Sequence, residues 1–216
     1  MKKTFALFFA AVSLTMLVFA AESEAAVIYA YSTVFTGDTP TGSSPWATLT
    51  IENHASNQVK FTLQANLQAP GEFIRTLWLN IDPFVSVSLV PGSVNTSGGS
   101  NVNSVNASSN GHNAPSGEKF DLEVNLPNSG AGRLTGTEWV SWILQGTGLT
   151  ENHFLATTSD QGLFQTMIHV QGIPLGTNGS EGSGKLTGSV IPEPGTILLF
   201  ATGLAAPLLS RLRRRT

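Results

Sequence analysis

Between residues 47 and 67 apolar and polar positions alternate almost without a break. Ala47, Leu49 and Ile51 are separated by Thr48 and Thr50; Val59, Phe61, Leu63, Ala65 and Leu67 are separated by Lys60, Thr62, Gln64 and Asn66. A period of two sends successive side chains to opposite faces of an extended chain, so both segments are predicted strands buried on one side. Glu52–Gln58 between them is polar, carries two asparagines and reads as the turn of a hairpin. Further strand-like runs are Val27–Phe35, Phe73–Ile81, Val85–Val90, Phe120–Leu126, Trp139–Leu144, Phe164–Val170 and Lys185–Val190. No apolar pattern of period 3.6 runs long enough for a major helix, and Thr150–Leu155 reads as one helical turn. Many short strands parted by glycine-rich turns predict an all-β body, a single antiparallel β-sandwich of jelly-roll type.

One stretch has neither period. Residues 92–117, from Gly92 to Gly117, are mostly Asn, Ser and Gly. So few apolar side chains offset little of the entropy lost on ordering, and a long mobile loop is expected there. The Asn-x-Ser sequons that begin at Asn95, Asn106 and Asn178 are read as coincidence in such a composition.

The two ends follow a different grammar. Met1-Lys2-Lys3 is basic, Phe5–Ala21 is apolar, and Ser23-Glu24-Ala25 supplies small residues before a cut after Ala25. That order is a secretory signal peptide, residues 1–25, which puts the body outside the cytoplasm. At the other end, Pro192 and Pro194 bracket Glu193, Gly195–Ser210 is uncharged, and Arg211, Arg213, Arg214 and Arg215 follow. As a helix the sixteen residues 195–210 span roughly 24 Å, short of the ~30 Å hydrocarbon core. The expectation is a short transmembrane helix whose arginines act as a cytoplasmic stop and snorkel to the headgroups. The prolines keep the stretch before it extended and without backbone donors, a form a processing enzyme can grip.

Pro192-Glu193-Pro194, an apolar segment and a terminal arginine cluster resemble the PEP-CTERM sorting signal. The likeness covers about residues 191–216. It implies processing by an exosortase, a polytopic membrane enzyme, in a bacterium that makes extracellular polysaccharide. A GPI signal would end apolar, and a sortase signal would need a threonine-bearing motif that is missing here.

The body, residues 26–190, holds five basic against eleven acidic side chains, a formal charge of −6 that the whole-chain value of −3 conceals. An acidic body argues against nucleic acid as a partner. There is no cysteine, so neither a disulfide framework nor a thiol nucleophile is available.

Candidate chemistry in the body is sparse. Gly179–Leu186 nearly matches a phosphate-binding loop, but Leu186 stands where a hydroxyl would hold magnesium, so it reads as a glycine-rich turn. His54, His112, His153 and His169 form no paired metal-ligand spacing. Glu118, Asp121 and Glu123 are read as a solvated acidic face rather than a calcium site, which needs six to eight oxygens. No cofactor, metal or catalytic residue is assigned. Trp46, Trp78, Trp139 and Trp142 offer flat surfaces for sugar rings; Trp139 and Trp142 on one strand face opposite sides, one into the core and one outward. The expected function is a non-enzymatic exported surface or matrix protein, anchored briefly in the inner membrane and associated with exopolysaccharide. The alternative is a carbohydrate-binding module or carbohydrate-active enzyme on the same sandwich.

Overall fold

The computed structural model describes residues 26–114, 117–157, 164–175 and 181–191. Among them are the strands β1 (Ala26–Gly37), β2 (Ala47–Ala55), β3 (Gln58–Ala65), β4 (Phe73–Leu79), β5 (Ser88–Leu89), β6 (Asn95–Thr96), β7 (Ser104–Asn113), β8 (Lys119–Asn125), β9 (Leu134–Thr135), β10 (Trp139–Gln145), β11 (Thr166–Pro174) and β12 (Glu181–Ile191). They pair antiparallel in one sheet of order β5-β10-β3-β2-β1-β12-β11-β4-β8-β7, with β6 beside β10 and β9 beside β4.

All-β antiparallel structure is what the alternation predicts. The pairing, however, does not divide into the two separate sheets of a sandwich. β1 is bonded to β2 on one edge and β12 on the other, so the ladder is continuous. A sheet of this many twisted strands curls. Here its end strands β5 and β7 come close enough to touch, and the sheet wraps a single core as a nearly closed barrel.

That core is built from the period-two residues. Leu49, Ile51, Val59, Phe61 and Leu63 are fully buried, with Val140, Trp142 and Leu144 from β10 across the ladder. Trp142 stacks on Phe61 with ring centroids 5.4 Å apart, and Phe154 meets the same phenyl edge-on at 4.9 Å. Phe154 comes from the 3-10 turn Glu151–Leu155, where one helical turn is expected. A capping box between Thr150 and His153 closes its start, and the Tyr29 hydroxyl donates to the Phe154 carbonyl. Tyr31 Oη pairs with Thr166 Oγ1 at 2.7 Å, tying β1 to β11 through the interior.

Three local expectations change. The β2–β3 turn is tighter than Glu52–Gln58, because the ladder continues to Ala55 and Gln58. Asn57 takes a left-handed φ of 63°, which asparagine tolerates. In Val85–Val90 the strand is reduced to Ser88–Leu89, with the Val90 N–H adding a bond to the Ile143 carbonyl of β10. The largest change concerns residues 92–117, where 95–96 form β6 and 104–113 the ten-residue strand β7 in place of one long loop. Strand pairing needs only backbone groups, and β7 lies at the end of the sheet order with most of its side chains in water. The signal segment and the tail from Pro192 lie outside the described residues.

Candidate functional site

Two ends of the described body meet on neighbouring strands. Ala26 opens β1, one residue after the expected signal cut, and Ile191 closes β12. Ile28 faces Ile191 in the ladder and Tyr29 faces Val190. β12 ends where Pro192 follows, as a residue without an N–H requires of a paired strand. Val190 and Ile191 are 39% and 41% exposed, so the last two residues before the prolines sit paired but open to solvent. Pro192, Glu193, Pro194, Arg211, Arg213, Arg214 and Arg215 lie outside the described residues.

The acidic trio is not a solvated face. Glu118 and Asp121 are buried, and Glu123 is half-buried. Asp121 accepts from the Ile81 N–H at 2.9 Å and the Asn110 N–H at 2.7 Å. Glu123 accepts from Trp78 Nε1 at 3.2 Å and from Asn125 Nδ2 at 2.7 Å. Asp121 and Glu123 hold strands together, each of their oxygens matched by a donor, whereas the buried Glu118 Oε2 has no hydrogen-bond partner among the described residues.

Of the tryptophans, Trp142 is completely buried and presents no surface to a ligand, which corrects its candidacy. Trp139, three residues earlier, is half-buried on the opposite face, as the alternation predicts. The histidines are dispersed, and the described residues contain no cluster of three or more metal-ligating side chains. His153 works as a cap; His169 is buried beside Trp78, with ring centroids 6.5 Å apart. Burial, with Lys185 and then Arg75 adding to it, lowers the His169 pKa to about 4. Of the turn expected at Gly179–Leu186, the part from Glu181 onward is strand β12.

An open groove of about 580 Å³ lies where the chain leaves β4. Asn80, Asp82, Phe84, Ser109, Asp121 and Leu155 line it, with Phe84 41% and Leu155 39% exposed. The sequence reading missed Phe84. Its signal was Pro83, which keeps Phe84 off the ladder and free to project. A ring beside hydroxyl, amide and carboxylate groups can stack on an apolar sugar face and hydrogen-bond its rim.

Residues 190–215 match the family model described as the PEP-CTERM protein-sorting motif. The chain carries a PEP-CTERM sorting motif. No curated protein and no solved structure matches the chain. The PEP-CTERM match begins at Val190, so its first two residues are the final pair of β12. The motif implies an exosortase-targeted surface protein. Among the described residues no helix is long and apolar enough to cross a membrane; the uncharged run from Gly195 is not among them.

Proposed function

We propose that this protein is a non-enzymatic component of the cell surface or extracellular matrix, delivered by exosortase sorting and associated with exopolysaccharide. Residues 1–25 direct export and are removed. The tail then holds the body at the inner membrane while Pro192-Glu193-Pro194 is presented for cleavage. The carrying observation is the PEP-CTERM match over residues 190–215, at the opposite end of the chain from a signal-peptide pattern. Support for a non-enzymatic body comes from its carboxylates: Glu72, Asp121 and Glu123 all accept hydrogen bonds that fix backbone or side chains in place. The carbohydrate-binding alternative draws on one observation, the exposed Phe84 beside Asp82 and Asp121 in the 580 Å³ groove.

Intact-mass measurement of surface-extracted protein tests the sorting. The expected mature form lacks residues 1–25 and ends near Pro192–Gly195; a C-terminus at Thr216 in exosortase-positive cells would overturn it. Replacing Arg211, Arg213, Arg214 and Arg215 by Gln removes the positive stop and should abolish membrane retention of the precursor. Glu193→Ala should leave retention intact and block cleavage alone. Unchanged insertion and cleavage in the four-Gln protein would remove the arginines from the signal.

A further inference from the structure

The outer face of β4, β11 and β12 gathers positive charge on a body that is otherwise acidic. Along β11, Ile168 and Val170 enter the core, so His169 between them points outward. Lys185 is its direct partner on β12, where Leu186 is the inward neighbour. On the other side His169 faces Thr76 and Val170 faces Ile74, which leaves Arg75 as the extra residue of a bulge. A bulge places such a residue off the regular alternation and re-aims its side chain. Arg75 is exposed, and Arg75 and Lys185 both act electrostatically on His169.

Among the described residues neither cation has an acidic partner within 4 Å. Among the described residues the ion pair within 4 Å is Lys60–Glu52, on a different part of the sheet. Glu123, on the neighbouring strand β8, is occupied by Trp78 and Asn125. The His169 ring lies between the two cations across three adjacent strands, buried against Trp78, and its Nε2 has no hydrogen-bond partner. One row further along, Phe73 faces Gln171, and the Arg133 guanidinium lies 4.7 Å above the Phe73 ring. Arg133 lines a groove of about 640 Å³ with Gln171 and Ser183; Asp38 and Glu181 also line it. Three of the five basic residues of the body thus belong to this face or its border.

We propose that Arg75 and Lys185 form an oxyanion-binding row, over His169, for the carboxylate or sulfate groups of an acidic polysaccharide. The sign of the two unpaired cations selects an anion, and because the body's net charge of −6 opposes long-range attraction, binding is confined to this row. The open placement selects a polymer over a small anion. One solvent-exposed ion pair contributes little to binding. A chain of linked anions gains by engaging Arg75, Lys185 and Arg133 together. The proposal deepens the matrix reading by naming the charge of the glycan; it does not depend on how the protein is sorted.

The test uses the full-length chain in neutral detergent, titrated at low and high salt with oligogalacturonate, dextran sulfate and uncharged dextran. Binding of oligogalacturonate or dextran sulfate, weakened by salt, is expected; whichever binds tighter identifies carboxylate or sulfate as the natural group. Arg75→Gln with Lys185→Gln should weaken it roughly tenfold. Lys119→Gln, a cation on β8, should not change it, and the melting temperature should stay the same in all variants. The His169 ring resonances provide a second readout, since an anion above the ring should raise its depressed pKa. Undiminished binding by the double variant, equal loss with Lys119→Gln, or no binding of either acidic probe would overturn the proposal. Binding of uncharged dextran alone would also overturn it while leaving the matrix reading standing.

Discussion

Two hairpins of this protein reach the same secondary structure by opposite means. β2–β3 alternates apolar and polar residues, lies inside the sheet order and sends Leu49, Ile51, Phe61 and Leu63 into the core. β7–β8 lies at the end of the order, and β7, "SVNASSNGHN", buries none of its residues fully. Its ladder breaks between Ala107 and His112, where residues 108–111 loop out opposite Asp121. The Asp121 carboxylate receives the Asn110 N–H from that bulge and the Ile81 N–H from the chain after β4. On the outer face Phe120 and Ala114 pack with Trp78 and Met167. One hairpin is held by burial. The other is held by a carboxylate, a small external apolar cluster and a partner strand, β8, whose own inward residues Leu122 and Val124 supply the core contact.

The contrast predicts where mutations hurt. Phe61→Ala removes a fully buried ring that contacts both Trp142 and Phe154, and should cost about 3–5 kcal/mol in denaturant unfolding. A loss below about 1 kcal/mol would show that the first hairpin does not depend on burial.

Acid should act on the external cluster of the second region. The folded-state pKa of His169 is depressed to about 4 from 6.5, so the unfolded chain takes up the proton first as pH falls. The stability tied to neutral His169 is fully present above about pH 6.5 and is lost progressively toward pH 4, by roughly 3 kcal/mol. His169→Gln should flatten that part of the stability profile. An unchanged profile would show that another group carries it.

Asp121→Ala strips the acceptor from two backbone donors, one of them in the buried Ile81, and should cost about 2–3 kcal/mol. Hydrogen exchange should rise at Asn110 and Ile81 while the β2–β3 amides remain protected; equal exposure of both hairpins would erase the distinction. The smallest effect is expected at Glu52→Gln, which breaks the 2.8 Å pair with Lys60 on the first hairpin. Both side chains are more than a third exposed, so the change in melting should correspond to less than about 1 kcal/mol.

The sequence by itself determined the β class, the inward face of the central strands and the C-terminal sorting motif. These rest on local regularities: period two marks a half-buried strand wherever it occurs, and Pro192-Glu193-Pro194 with its arginines is a linear pattern that needs no fold to be read. The end of the last strand, expected at Val190, lies one residue further at Ile191, directly before Pro192, which carries no donor. Only the tertiary structure decided that β1 joins both edges of the ladder and curls one sheet around the core, because pairing partners lie far apart in sequence. β1 and β12 are an example: Ile28 faces Ile191. It alone made a strand of residues 104–113, of which 104–107 and 112–113 pair with β8 although their side chains signal a loop. It also buried Asp121 against backbone N–H groups, Trp142 against Phe61, and set Arg75 and Lys185 on either side of His169. A residue's type states what it can bond to. Whether a partner waits there depends on which distant strand lies beside it, and that is a property of the fold.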